Sequence, residues 1–300
     1  MNLEIPAVPP FDLDAVVRSH GWVQLPPLDY NRETGTLSTV LRIANSDAPD
    51  LIADVCIRQK PEPGNPPGVI VTADLADDPR LGRALARDVT WMLQLDRDLG
   101  AFYALAREEP HLAHVEAEAK GRILRSPTLF EDTVKTILTT NTSWGGTRRM
   151  TGALVAQLGT PLPGDPDRRA FPTPAQIDAV DEAFLREETK LGYRAPRVLG
   201  LARDVASGRF DLEGLKDEDL PTDEVREALL AIKGVGPYAA ASLLALLGHF
   251  DDLPIDSWAR AQVSKHLYDG EPVTKAQVRR AFDRWGTWRA LAYWFWNWDA

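Results

Sequence analysis

The chain has 300 residues, enough for two modest domains or one large one with ample core, and a formal net charge of −10. That balance argues against a protein that coats nucleic acid, and the lone cysteine, Cys56, excludes intrachain disulfides and any cluster held by several thiolates. No apolar run approaches a membrane span and the N-terminus lacks a signal-peptide pattern, so a cytoplasmic, reducing setting without a membrane partner is expected.

Residues 1–75 read as strand-rich. Gly21 to Leu25, Leu37 to Ile43, Leu51 to Ile57 and Gly68 to Val71 are short β-type runs bounded by turn residues. Cys56 is expected as a buried residue of the third run. Pro61, Pro63, Gly64, Asn65, Pro66 and Pro67 predict a loop between two strands. From Asp78 the pattern turns helical, with Leu81, Leu85 and Val89 spaced by four. A helix is expected to begin at Ser126-Pro127 and to end at Thr139-Thr140-Asn141-Thr142. Beyond residue 115 the chain reads as almost wholly helical. The expected fold is α+β: a small N-terminal antiparallel β-sheet domain with helices over 1–110, then a mainly α-helical domain over 111–300.

The densest signal lies at 222–248. Thr222 to Ile232 predicts a helix with a Ser/Thr-type cap, and with Val225, Leu229 and Ile232 on one face. Lys233-Gly234-Val235-Gly236-Pro237-Tyr238 follows, a turn so short that its glycines are expected at backbone angles closed to residues with a Cβ. Pro237 suits a first helical position, Ala239 to Leu247 continues the second helix, and Gly248 can cap it. The arrangement is a helix-hairpin-helix. Gly234, Gly236 and the N–H of Ala239 are candidate DNA-binding positions, because main-chain N–H groups at a helix start attract a phosphate. A lone carboxylate, Asp256, stands 18 residues after Tyr238, within Leu253-Pro254-Ile255-Asp256-Ser257-Trp258. By itself it reads as the N-cap of a helix over Ser257 to Leu267, which also keeps a carboxylate rigid and ionised. Asp251 and Asp252, in the preceding loop, read as surface residues.

Four ordered blocks give this sequence a family resemblance: Thr139-Thr140-Asn141-Thr142, Leu191-Gly192-Tyr193-Arg194-Ala195, the hairpin with Asp256, and Trp285-Gly286-Thr287-Trp288-Arg289. Together they span residues 115–298, and they resemble the helix-hairpin-helix DNA glycosylase superfamily, in the branch of 3-methyladenine DNA glycosylase II and 8-oxoguanine DNA glycosylase. The resemblance implies a small sheet before a helical body, and an enzyme of base excision repair acting on double-stranded DNA with a damaged base. It implies that Asp256 is the catalytic carboxylate and that the target base leaves the stack. Asn141 would then enter the vacated space, Tyr193 would wedge beside the orphaned base, and Arg194 would hydrogen-bond it. The competing structural roles are a helix C-cap for Asn141 and a packing position for Tyr193. An arginine that follows the Asn by five residues in 8-oxoguanine enzymes is Gly146 here, with Arg148 and Arg149 further on.

Where bifunctional relatives carry a Schiff-base lysine, four residues after the first hairpin glycine, this chain has Tyr238. The expectation is a monofunctional enzyme using water, with Tyr238 either a wall of the base pocket or a residue packing the hairpin. Tyr293 and Asn297 align with pocket residues of relatives, although their types differ from the Gln and Phe of 8-oxoguanine enzymes. An aromatic pocket favours cationic alkylated purines. The aromatic segment Trp285 to Trp298 is otherwise expected to be core. No cofactor is expected to be required, and iron–sulfur clusters need cysteines this chain lacks. A structural monovalent cation at the carbonyls of Leu230, Ile232 and Val235 is implied by relatives. Arg148, Arg149, Arg194, Arg197, Lys233 and Arg260 would form a basic strip on an acidic, monomeric body. The alternatives are an 8-oxoguanine-type glycosylase, a non-catalytic damaged-DNA-binding module, and a helical protein that meets other proteins through its acidic surface.

Overall fold

The computed structural model describes residues 1–45, 49–61 and 66–298, and it shows two compact units, each assembled from two stretches of chain. The first joins residues 1–97 to 122–213; the second joins 98–121 to 214–300. Packing therefore divides the chain differently from composition, whose change falls near residue 110.

The first unit opens with a five-stranded antiparallel sheet: β1 (Asn2–Pro6), β2 (Asp29–Asn31), β3 (Thr36–Ile43), β4 (Leu51–Gln59) and β5 (Gly68–Ala73), in the order β1-β5-β4-β3-β2. In β4 alternation is strict, with Ala53, Val55 and Ile57 buried on one face. Cys56 falls on the other face. It is half-buried rather than buried, with Ser38 Oγ 3.6 Å from its sulfur across the ladder. Pro61, Pro66 and Pro67 lie between β4 and β5 as expected; Pro63, Gly64 and Asn65 lie outside the described residues. Besides a short α1 (Leu13–Val17), the sheet carries α2 (Pro79–Leu93), which buries Leu81, Leu85, Val89 and Met92 after the Asp78 cap.

Gly21 to Leu25 is not a strand. It forms a 3-10 turn over Gly21–Gln24 that buries Trp22, because Leu25 N–H turns back to Trp22 O (2.8 Å) and the indole N–H donates to Asp132 Oδ1 (2.7 Å). Strands β1 and β2 were not apparent from sequence, being short and only partly apolar.

The chain then passes through α3 (Gly100–Ala106) of the second unit and re-enters the first at Arg122. The buried Arg122 guanidinium donates to the carbonyls of Val8 (2.5 Å), Pro10 (2.7 Å), Arg97 (2.8 Å) and Gln94 (2.9 Å). Helix α4 (Leu129–Thr139) begins after Thr128, whose hydroxyl accepts from Glu131 N–H, and not at Ser126-Pro127. Ser126 is held instead as extended chain, its N–H donating to Asp132 Oδ1 (3.0 Å). Glu213 accepts the free N–H groups of Leu129 and Phe130 (3.2 and 3.0 Å), an anion at the positive helix end. Residues 129–138 of α4 are all buried, including the Lys135–Glu131 ion pair (2.6 Å). Helix α5 (Trp144–Leu158) follows. A hairpin that sequence reading missed, β6 (Pro161–Leu162) with β7 (Asp165–Arg169), interrupts the helices; its polar second strand has no apolar alternation to reveal it. Leu162 and Ala170 pack with Val40 of the sheet. Helices α6 (Pro174–Asp178), α7 (Glu182–Glu187) and α8 (Ala195–Ala206) complete this unit.

The second unit contains α9 (Thr222–Ala231), α10 (Pro237–Leu247), α11 (Ser257–Leu267), α12 (Lys275–Ala281) and α13 (Arg289–Trp294). Val225, Leu229 and Ile232 are buried on one face as expected. Thr222 does not cap α9. It is already helical, and its hydroxyl meets His249 Nδ1 (3.0 Å) instead.

Candidate active site and nucleic-acid contacts

In the hairpin, α9 ends at Ile232, whose carbonyl accepts Val235 N–H (3.0 Å). Gly234 adopts φ +103°, so there the absence of a Cβ is required. Gly236 differs from expectation: at φ −96°, ψ −178° its backbone suits any residue. A Cβ added at Gly236 would point into open space, so what the glycine leaves is room beside the helix start. Pro237 opens α10, and the first bond of the helix runs from Ala240 N–H to Gly236 O (2.9 Å). The N–H groups of Tyr238 and Ala239 precede that bond and have no carbonyl within the helix to meet. The Ala239 side chain is buried, so only its main chain can serve as a contact. Leu243, Leu244, Leu246 and Leu247 anchor α10, each worth roughly 1.5–3 kcal/mol of burial. Gly248, at φ +101°, ends it as predicted.

The loop to Asp256 is pinned. Phe250, Leu253 and Ile255 are buried, and Asp252 is no loose surface residue: it pairs with Arg226 (3.1 Å) and Arg279 (3.2 Å). Asp251 is half-buried as well. Loop position suggested exposure for both, but this loop carries alternating apolar anchors that draw its acids inward. Asp256 caps α11, its Oδ1 accepting Ala259 N–H at 2.8 Å. Among the described residues its Oδ2 takes no hydrogen bond, which leaves one oxygen fixed and the other available.

Two tyrosines respond to this carboxylate. Burial first, then the Asp256 charge, holds the Tyr238 hydroxyl above its ordinary range. Burial, Asp256 and then Tyr238 do the same more strongly for Tyr293. Both phenols therefore stay neutral beside an anion. Tyr238 is 40 % exposed, whereas Tyr293 is buried and stands edge-on to Phe282 (5.6 Å) and Trp298 (6.0 Å). Sequence reading missed Trp258. It stands in the first turn of α11, is 52 % exposed, and meets Trp298 edge-on at 6.2 Å; His266 lies on the same Trp298 at 5.7 Å. The signal was present in Asp256-Ser257-Trp258, since a cap fixes which face of the first turn the second residue takes. Asn297 is exposed and tied through its main chain to His111, by N–H to O (3.0 Å) and O to Nδ1 (3.0 Å). Of the rest of the aromatic segment, Trp285, Phe295 and Trp296 are buried, and Trp288 and Trp294 are half-buried.

The carbonyls of Leu230, Ile232 and Val235 lie where α9 runs out of intrahelical donors. Ile232 O keeps one lone pair beyond its bond to Val235, which suits a cation held by oxygen. Among the described residues no cluster of His, Cys, Asp and Glu could hold a metal.

The first unit contains the other candidate residues. Thr140 ends α4 and Asn141 follows at φ +55°, exposed, one position beyond the cap. Tyr193 is 45 % exposed, with its hydroxyl 3.4 Å from Thr140 O. The Arg194 and Arg197 guanidinium carbons stand 4.4 and 5.1 Å from the Tyr193 ring centre. Arg194 is itself buried, and its guanidinium donates to the carbonyls of Thr140 and Asn141 (3.2 Å to the latter). In this structure it holds the Asn141 loop rather than presenting its donors at the surface. Of the remaining basic residues, Arg148, Arg149, Lys233 and Arg260 are exposed.

The fold matches that of solved 3-methyladenine and 8-oxoguanine DNA glycosylases. Solved structures that share it over nearly the whole chain include two without resolved kinship in sequence at 20% identity. The 3-methyladenine DNA glycosylase of Archaeoglobus fulgidus has a TM-score of 0.74 at 20% identity, covering 98% of this chain and 97% of its own. The 8-oxoguanine glycosylase/lyase of Clostridium acetobutylicum, without DNA, has a TM-score of 0.75 at 20% identity, covering 100% and 99%. A protein of Methanothermobacter thermautotrophicus described as a probable N-glycosylase/DNA lyase is 26% identical over 230 residues, 69% of this chain and 70% of that protein. No family model matches the sequence. The resemblance read from the four sequence blocks thus holds at the level of the fold. No helix among the described residues is long and apolar enough to cross a membrane.

Proposed function

We propose that the chain is a DNA glycosylase of base excision repair that hydrolyses the N-glycosidic bond of a base extruded from double-stranded DNA. The observation that carries this reading is the setting of Asp256. One carboxylate oxygen is locked by a helix cap, the charge of this group acts on Tyr238 and Tyr293, and the hairpin before α10 leaves open space beside its helix start.

Departure of the base leaves positive charge on the sugar at C1′, and a fixed anion beside it lowers the barrier by electrostatic stabilisation. The free oxygen of Asp256 would orient a water and take its proton. The N–H groups of Tyr238 and Ala239 would hold a backbone phosphate, with a monovalent cation on the Leu230, Ile232 and Val235 carbonyls supporting the same turn. Asn141 and Tyr193 would fill the gap left in the stack.

Tyr238 occupies the place of the Schiff-base lysine, and its phenol stays protonated, so water is the nucleophile and no lyase step follows. Neutral aromatic faces at Tyr238, Tyr293 and Trp258 suit a cationic alkylated purine. The second reading, an 8-oxoguanine enzyme with lyase activity, draws on the names of the Clostridium and Methanothermobacter proteins.

Base release from duplexes bearing alkylated purines, hypoxanthine or 8-oxoguanine, assayed with and without alkali beside Asp256→Asn, tests the proposal. Strand breaks on alkylated duplex that need alkali and vanish in the variant are expected. Breaks without alkali would support the lyase reading. Release that persists in Asp256→Asn would sink the assignment of the carboxylate. Damaged-duplex binding without release of any base would support a non-catalytic module.

A further inference from the structure

The first unit contains a groove to which the glycosylase reading gives no role beyond the place of Arg148 in the expected basic strip. It has a volume of about 500 Å³ and is lined in part by Arg18, Gln24, Asp29, Tyr30, Arg32 and Arg148. Arg32 lies in the turn between β2 and β3, and Arg148 lies one helical turn beyond Trp144 on α5. The two elements are keyed together. The Trp144 indole N–H donates to Gln24 Oε1 (2.9 Å), and the ring fills the space where a Cβ on Gly21 would come within 2.5 Å of it. Arg18 pairs with Asp14 (2.9 Å), to which the Tyr30 hydroxyl also donates (3.1 Å). Arg32 and Arg148 are exposed and form no ion pair among the described residues.

Two guanidinium groups without an ion pair, Arg32 and Arg148, and a third already paired with Asp14 line this groove beside one carboxylate, Asp29, on a chain whose net charge is −10. A concave wall concentrates that local reversal of sign. An apolar occupant would strip water from the arginines without replacing it. A phosphodiester replaces it well, since a guanidinium fork matches two phosphate oxygens. Position favours a polymer over a free anion. Asn141, the Ser143 cap, Trp144 and Arg148 follow one another along the chain into α5, so a groove residue stands on the helix that the loop assigned to the DNA gap leads into.

We infer that this groove is a second contact for duplex DNA, holding backbone phosphate of the strand that runs on from the Asn141 loop. The inference rests on the glycosylase reading and extends its footprint onto the sheet-bearing unit. Contacts of this kind position the duplex without reading its sequence.

The test is binding of the full chain to labelled undamaged and damaged duplexes over a salt series, for wild type, Arg32→Ala/Arg148→Ala and Arg32→Lys/Arg148→Lys. The alanine pair should weaken both duplexes alike, about tenfold at low salt, and flatten the slope of log K against log salt by about 2. The lysine pair should keep most of the slope. An alanine pair with wild-type affinity and slope overturns the inference alone, as does a groove that inorganic phosphate or a mononucleotide occupies while duplex binding stays unaltered. Failure of the wild-type chain to bind any duplex would remove the glycosylase reading together with it.

Discussion

The carboxylate region and the Asn141 loop are made rigid by opposite means. Asp256 is fixed locally, by the N–H of a residue three positions away. The Asn141 loop is fixed from afar, by Arg194, a side chain 53 residues on. A local device confines one side chain while leaving an oxygen of the same group available. A long-range device confines main chain, and leaves the Asn141 side chain at the surface. The chemistry proposed for Asp256 calls for the first, and the gap-filling proposed for Asn141 for the second.

The sharpest way to break this comparison is Asp256→Asn. Asparagine caps a helix about as well as aspartate, so thermal stability should change by less than about 1 kcal/mol. Base release should nevertheless fall at least about 10²–10³-fold, the scale for losing a preorganised electrostatic group. Equal losses of stability and activity would mean that the cap is the whole role of Asp256.

Arg194→Ala should come next. It leaves the carbonyls of Thr140 and Asn141 without their donor, at a cost of about 1–3 kcal/mol for buried groups. Damaged-duplex affinity should fall more than affinity for undamaged duplex, measured side by side. Uniform weakening would assign Arg194 to general phosphate attraction instead. Trp258→Ala should act on substrate binding alone. Loss of one stacking face is worth about 1–3 kcal/mol, so KM for the damaged substrate should rise about tenfold or more with the fold intact.

The smallest effect sharpens the contrast from the buried side of α4. Burial raises Asp132 from 3.8 to about 6, and burial lowers His20 from 6.5 to about 4. Between pH 4 and 6 folded Asp132 holds a proton that the unfolded chain has lost, so its share of stability declines as pH rises. Over the same range the unfolded chain holds a proton on His20 that the folded one lacks, so that share grows with pH. The two oppose, and the wild-type melting temperature should be nearly flat from pH 4 to 6. Asp132→Asn leaves the opposing effect of His20 by itself, and stability should then climb with pH by up to about 1.4 kcal/mol per unit. A flat profile in the variant would show that His20 exchanges its proton without linkage to folding.

Much of this was legible because it is local. The Gly234 turn, Pro237 and Gly248 at the ends of α10, and the cap at Asp256 are set by neighbours a few residues away. What misled was equally local. Thr222 looked like a cap, but the His249 ring claims its hydroxyl; Gly21 to Leu25 looked like a strand, but the Trp22 indole needed a buried acceptor. In both cases a distant partner overrode a propensity worth less than the hydrogen bond it satisfied.

By itself, the sequence determined the hairpin, the rigid carboxylate after it and the order of the blocks that mark the fold, because capping, turn geometry and helical period act within a few residues. Only the tertiary structure decided that Arg194 holds a loop, that Asp252 lies between two arginines, that Trp258 joins the aromatic faces linked to Tyr293, and that Arg32 and Arg148 share a groove. Those are contacts between residues far apart in the chain, and packing, not local preference, chooses which of them meet.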